Sequence, residues 1–169
     1  MEILQALKSR RSCRDFSPEQ INHNILPQII EIARFAPTAR NIQPWHFVII
    51  TENELMEAIH SLIQKNAPFF KQAKACIAVF CQDVKYYLED GSAVTTYILL
   101  AAEAFGLGAC WIAGDKKEYC QQICSLLFAP AEYRLVSLVA LGYGNIKPLQ
   151  PPKKNVQDLV SWQRFTVTG

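Results

Sequence analysis

The sequence predicts a layered fold in which helices flank a mixed sheet, of α/β or α+β class. Three observations lead there. Apolar residues recur at helical spacing in some segments and run unbroken over strand lengths in others. The two kinds of segment alternate along the chain. No internal repeat or low-complexity stretch interrupts them. With 169 residues, 50% of them hydrophobic and 19% charged, the chain suits one domain with a real core and does not read as disordered.

The elements follow in order. Residues 2–9 suggest a short helix with Ile3, Leu4 and Leu7 on one face, and Ser17-Pro18-Glu19 marks a turn. Residues 24–35 make a second helix, with Ile25, Ile29, Ile32 and Ala33 at helical spacing and Pro37 as the stop. A strand is expected over 46–50. Thr51 and Glu54 then have the spacing of a capping box for a helix reaching about Gln64. Residues 75–81 are an unbroken apolar run of strand length. Residues 92–105 form the least polar helix, ending at Gly106. A helix apolar nearly all round is buried on all sides, and one small domain seldom covers it alone, which points to a subunit interface. A strand over 109–113, a helix capped by Asp115 with Glu118, and a strand over 135–141 come next. A Gly- and Pro-rich loop over 142–152 and a short helix around Val156 to Trp162 close the chain.

Composition excludes several classes. A net charge of +2 is too small for general nucleic-acid binding. No apolar run approaches the roughly 20 residues that a membrane helix needs. The amphipathic start, Met1 to Arg11, does not read as a signal peptide, so a cytoplasmic location is expected. The six cysteines form no C-x-x-C pair. Cys120 and Cys124 would share a helix face, but no second ligand pair accompanies them, so the cysteines read as reduced, mostly buried thiols and no metal site is expected. Gly106-Leu107-Gly108 ends a helix, the wrong place for a Rossmann phosphate loop. His23, His46 and His60 are scattered and read as non-catalytic. Tyr86 and Tyr87 either line a pocket or pack as ordinary aromatics.

Two segments carry chemistry. In Arg10-Arg11-Ser12-Cys13-Arg14-Asp15-Phe16, three guanidinium groups surround a hydroxyl, and in an extended stretch Arg10, Ser12 and Arg14 point the same way. Such a cluster is suited to a phosphate; a solvated charge patch at a helix end explains it equally well. In Ala36-Pro37-Thr38-Ala39-Arg40-Asn41-Ile42-Gln43-Pro44-Trp45-His46-Phe47, a loop between helix and strand presents Thr38, Asn41 and Gln43. Amides suit the edge of a heteroaromatic ring, yet ordinary turn chemistry accounts for this loop taken alone.

Taken together and in order, these segments resemble the nitroreductase family. Ala101-Ala102-Glu103-Ala104-Phe105-Gly106-Leu107-Gly108-Ala109-Cys110-Trp111-Ile112 is similar to the family's central helix and following strand. Leu141-Gly142-Tyr143-Gly144 resembles its Gly-Tyr-Pro turn with Gly144 in place of proline, and Pro151-Pro152-Lys153-Lys154 resembles its last basic segment. Thr96 and Tyr97 depart from the pattern, standing where the central helix usually carries amides.

The resemblance implies a single α+β domain over residues 1–169. It has three layers, a central mixed but mostly antiparallel sheet flanked by helices, and a C-terminal extension (about 145–169) packing on the partner of a homodimer. It also implies flavin mononucleotide (FMN) as cofactor, NADH or NADPH as cosubstrate, and a small electron-poor acceptor (nitroaromatic, quinone or flavin) reduced by a ping-pong mechanism. Arg10, Ser12 and Arg14 would hold the phosphate and pyrimidine edge, with Arg11 adjacent, and Lys153 and Lys154 would complete the phosphate site. Pro37, Thr38, Ala39 and Asn41 would reach the flavin from the partner, supported by Gln43. Asn66 would contact the ring, and Ile112, Ala113 and Gly114 would lie against it and offer a backbone N–H. No side-chain catalytic residue is implied, because the flavin carries the chemistry. Neither nucleic acid nor membrane is expected as a partner. Two alternatives stay open: a non-enzymatic flavin-binding or storage protein, and a flavin-modifying or dehalogenating enzyme on the same scaffold.

Overall fold

The computed structural model describes residues 3–146 and 148–165. Among these residues five helices are α1 (Ile3–Ser9), α2 (Ile25–Ala33), α3 (Asn53–Ile63), α4 (Tyr87–Ala104) and α5 (Cys120–Leu126). Four strands are β1 (Trp45–Ile50), β2 (Ala75–Gln82), β3 (Gly108–Ala113) and β4 (Tyr133–Gly142). Single 3-10 turns sit at Ala39–Asn41, Pro68–Gln72 and Val156–Asp158.

The strands form one sheet in the order β1-β2-β4-β3, and every neighbouring pair is antiparallel. The expected mixed character reduces to one isolated parallel bridge, Ser12 to Ala109. Residues along β2 alternate between two cores with the period of a pleated strand. Cys76, Ala78 and Phe80 pack with α3 and α5 through Ile59, Ile63 and Ile123. Ala75, Ile77, Val79 and Cys81 pack with α2 and α4 through Ile29, Ala33, Val94 and Ile98. Helices therefore cover both faces, giving an α+β fold in three layers. Double coverage is why 75–81 is apolar without alternation. A bulge interrupts β4: Val79 lies opposite Ser137 and Phe80 opposite Leu135, leaving Val136 as the extra residue. It puts Val136 and Ser137 together on the α4 side, where Ser137 Oγ and Thr95 Oγ1 share a hydrogen bond of 2.8 Å.

Several elements differ from expectation for identifiable reasons. Helix α4 starts at Tyr87, upstream of Ser92, because Asp90 and Gly91 are buried and helical rather than part of a loop. It is not buried all round within one chain: Thr96 and Tyr97 are exposed. Its end is as expected: Gly106, at φ 77°, closes it, with the Leu107 N–H donating to Ala102 O (2.9 Å) and the Gly106 N–H to Glu103 O (3.0 Å). The Thr51–Glu54 capping box does not form, since Glu52 holds the cap position and makes no side-chain cap bond. Asp115 does not cap α5, which begins at Cys120 after Tyr119. The last helix is a single turn, Val156–Asp158, in a stretch with no buried residue to hold it. On α1 the residue that packs inward is Ala6, while Ile3, Leu4 and Leu7 are exposed.

All six cysteines are unpaired and five are buried. Burial pushes the Cys81 thiol up to about 12 and the half-buried Cys120 thiol up to about 11. The reactive thiolate is therefore scarce at neutral pH. Ellman's reagent at pH 8 should modify these thiols no faster than the protein unfolds, with Cys120 accelerating as pH rises towards 11. Ile98 is fully buried at the middle of α4. Ile98→Ala should cost about 2–5 kcal/mol, read as a lowered urea midpoint at constant slope.

Candidate functional site

The segment after α1 runs extended along the free edge of β3. The Cys13 N–H donates to Ala109 O (2.9 Å), Phe16 bridges Gly144, and the Phe16 N–H donates to Gln72 Oε1 (3.0 Å). Extended backbone sends alternate side chains to opposite sides, and the guanidiniums divide accordingly. Arg10, Ser12 and Arg14 take alternate positions along this segment, with Ser12 bridging Ala109 next to Cys110. Burial pushes that thiol up, while the Arg14 charge, a hydrogen bond with Ser12 and the Arg10 charge pull it down. Arg11 goes the other way. It lines a separate cavity of about 270 Å³ with Ser9, Cys13 and Glu103, and its Nη1 donates to Arg10 O (2.6 Å).

The far end of β3 faces a cleft of about 210 Å³ lined by Arg14, Asn66, Phe69, Ile112, Ala113 and Tyr119 among others. Arg14 sits over the Phe69 ring, 5.8 Å from its centroid. The structure thus brings Arg14, Asn66, Ile112 and Ala113 to one cavity, with Arg10 and Ser12 beside it. The Gly114 N–H is already committed, donating to Val136 O (3.0 Å). Antiparallel pairing alternates the direction of backbone groups, so the Trp111 and Ala113 amides point away from β4 towards the open edge. Two outward carbonyls agree: Ala109 O accepts from Cys13, and Ala113 O from the Tyr119 hydroxyl. Of the stretch Ile112-Ala113-Gly114, Ala113 is the residue whose N–H faces the cleft. The extra residue of the bulge sets this turn, because Val136 O also accepts the Asp115 N–H (3.3 Å).

The loop Pro37–Gln43 lies elsewhere. It precedes β1, and β1 and β3 are opposite edges of the sheet, three strand spacings or about 14 Å apart. Arg40, Asn41 and Gln43 all have positive φ (54°, 57° and 52°), each costing about 1–2 kcal/mol for an L-residue. Such a backbone persists only when its surroundings over-determine it. Here Asp90 does so. Its carboxylate, 5% exposed, accepts from Thr38 Oγ1 (2.9 Å) and the Ala39 N–H (3.0 Å). Thr38 Oγ1 accepts the Gln43 N–H (3.1 Å), and Gln43 Nε2 donates to Asn41 Oδ1 (3.2 Å).

Two functional roles are not foreseen from the sequence, although Asp90 stands before the expected central helix as in the family that the chain resembles, Tyr87 reads as a pocket or packing aromatic and Asp115 as a cap. That of Asp90 is one; its signal was an acidic residue entering an otherwise apolar helix. The other is the pair Tyr87–Asp115, in which the tyrosine hydroxyl donates to Asp115 Oδ1 (2.9 Å). Burial, then the bond to Asp115, pushes the Tyr87 hydroxyl up. Asp115 Oδ2 is buried without a hydrogen-bond partner. The first turns of α4 therefore hold both the 37–43 loop and the turn after β3. Lys153 and Lys154 stand exposed on irregular chain, outside the cleft. Among the described residues no cluster of His, Cys, Asp or Glu suits a metal ion, and no helix is long and apolar enough to cross a membrane.

Comparison with known proteins settles the class. A sequence model described as the nitroreductase family matches residues 7–80 and 64–143. A protein of Archaeoglobus fulgidus named "Putative NADH dehydrogenase/NAD(P)H nitroreductase" is 33% identical over 150 residues, which is 84% of this chain and 85% of that protein. A crystal structure of a protein of the same name from Parabacteroides distasonis superposes with a TM-score of 0.89 at 24% identity, covering 96% of this chain and 98% of the other. An FMN-dependent nitroreductase from Clostridium difficile superposes with a TM-score of 0.84 at 25% identity, covering 96% and 99%. This chain belongs to the nitroreductase family.

Removing the acceptors of Asp90 should release the strained loop. Asp90→Ala leaves the half-buried donors of Thr38 and Ala39 unpaired, at up to about 1–3 kcal/mol each. The expected result is a lower unfolding midpoint with faster amide exchange at Ala39; protection of Ala39 as in the parent protein would show that something else holds the loop.

Proposed function

We propose that this chain is an FMN-dependent oxidoreductase that takes hydride from NADH or NADPH and reduces an electron-poor acceptor (a nitroaromatic, a quinone or a flavin), donor and acceptor using one site in turn. The observation that carries this is the extended segment of Arg10, Ser12 and Arg14 laid against β3 at Ala109, beside a cleft walled by Arg14, Asn66, Ile112 and Ala113. These groups fit FMN. The guanidiniums and hydroxyl match a phosphate and the electron-rich pyrimidine edge, Asn66 supplies an amide for the same edge, and the apolar end of β3 suits a flat ring. Bound FMN would supply the acceptance and release of hydride. The protein's part is to neutralise the phosphate, orient the ring through the Ala113 N–H and leave one ring face open. The relatives named for NAD(P)H and for FMN support this reading.

The working unit in this proposal is a homodimer, located in the cytoplasm. The cleft of one chain lacks the 37–43 loop, so Pro37, Thr38, Ala39 and Asn41 would come from the second copy, with Gln43 bracing them and Asp90 fixing their shape. Lys153 and Lys154 would close the phosphate side. Arg11, turned into its own cavity, would act from behind the site. The extension over about 145–169 would pack on the partner. Support comes from its exposed apolar residues, Leu149 at 94%, Trp162 at 81% and Phe165 at 90%, which suit burial against another surface; Lys147 and residues 166–169 lie outside the described residues.

Anaerobic addition of NADH or NADPH should bleach the flavin band of the FMN-loaded protein, and an acceptor should restore it. A band that neither nucleotide bleaches would leave a flavin-storage protein. Arg10→Ala should weaken FMN binding roughly tenfold or more, since a charge-assisted bond contributes about 1.5–3 kcal/mol; an unchanged dissociation constant would remove Arg10 from the site. Sedimentation should give twice the chain mass, and deleting residues 145–169 should yield a monomer with weakened FMN affinity.

A further inference from the structure

Beside the cleft of Arg14 and Ile112 lies a larger one of about 640 Å³, between the end of α3 and the turn before α5. The two clefts share Asn66, Lys117 and Tyr119 in their walls, so they are immediate neighbours. The larger one adds Lys65 from the α3 end and Lys116 from the turn, three lysines in all against one carboxylate, Glu118. Among the described residues the ion pairs are Arg34–Glu31 and Arg134–Asp83, so no carboxylate holds these lysines. Lys65 taken alone is the ordinary cation that complements a helix C-terminus. That explanation does not reach Lys116 and Lys117, which precede a helix. Their charge stands at the N-terminal end of α5, where the helix favours anions instead.

Size and charge together name the occupant. Clefts that hold small ligands run about 300–1,000 Å³. At about 210 Å³ the first cleft is too small for a dinucleotide, and the second, at about 640 Å³, falls inside that range. Hydride transfer requires the nicotinamide within about 3–3.5 Å of its acceptor. The remainder of the dinucleotide, which carries all its phosphate, must then leave the first cleft through a neighbouring space. A compact cation on a flexible stem suits a phosphate as a point charge.

We infer that the cleft of Lys65, Lys116 and Lys117 receives the phosphate groups of the hydride donor. This rests on the proposed reductase function. Lys117 also borders the smaller cleft, so Lys65 and Lys116 are the residues that separate nucleotide binding from flavin binding.

The test is the double variant Lys65→Gln/Lys116→Gln of the full chain, loaded with FMN and compared with the parent protein. Anaerobic stopped-flow reduction would use NADH, NADPH and 1-benzyl-1,4-dihydronicotinamide, which carries the same reactive ring without phosphate. The half-saturating concentration of the dinucleotide should rise roughly tenfold, and more salt should narrow the difference from the parent. Reduction by the benzyl compound should be unchanged. Calorimetric titration with 2′,5′-ADP and 5′-ADP gives a readout independent of flavin. Weakening of 2′,5′-ADP alone assigns the lysines to the adenosine 2′-phosphate, and weakening of both assigns them to the 5′-phosphates; either supports the inference. Unchanged binding and kinetics for all ligands, or equal loss with the benzyl compound, would overturn it. If the parent protein took up no FMN, the function proposed above would fail, and the calorimetric comparison would still decide the role of the cleft.

Discussion

The carboxylate of Asp90 is buried in the first turns of α4, and both of its oxygens accept hydrogen bonds from the loop after α2. Burying a charge is expensive unless it is fully bonded, so the loop and the helix secure each other. The loop supplies the donors that make a buried carboxylate tolerable, and the carboxylate anchors Thr38 and Ala39, just before the chain turns through Arg40, Asn41 and Gln43 at positive φ. A loop of that shape presents its side chains in one arrangement. A flexible loop of the same composition would have to be ordered each time a ligand bound, at a cost in affinity.

Helix α4 also serves the opposite edge of the sheet. Tyr87, one turn before Asp90, reaches Asp115 in the turn after β3. The loop on the β1 side and the turn on the β3 side are thereby attached to the same rigid element. In a two-fold dimer each chain would give its loop to one site and its β3 edge to the other, and the start of α4 would stand behind both. The bulge at Val136 completes this frame. It turns the Val136 carbonyl towards the Gly114 and Asp115 amides and so fixes the turn that follows Ala113.

Much of this was legible in the sequence. Apolar runs of strand length located the four strands, and helical spacing located α1 and α2, to within about two residues, because each pattern is the trace of a face turned to a core. Gly106 announced the end of α4 because a left-handed cap favours a residue without Cβ. Alternation alone put Arg10, Ser12 and Arg14 on one side; Arg11, expected adjacent to them in the phosphate site, lines its own cavity instead. The misses are local signals that tertiary contacts overrode. Thr51–Glu54 and Asp115–Glu118 have capping spacing, yet Asp115 is engaged by Tyr87 across 28 positions of sequence. The apolar residues of the last segment have helical spacing but nothing in the chain to pack on, and an isolated helix of that length is marginal in water.

The sequence by itself determined the class of fold, the apolar segments that build the core and the candidate residues for the chemistry, because those depend on side-chain type and on spacing along one strand or helix. Only the tertiary structure decided which of these residues meet. It put Asn66, Arg14 and Ala113 in one cleft and the 37–43 loop at the other edge. It gave Asp90 its role and set the lysine-lined cleft beside the smaller one. These are contacts between segments far apart in the chain, set by strand order and by where α4 crosses the sheet, and no local pattern encodes them.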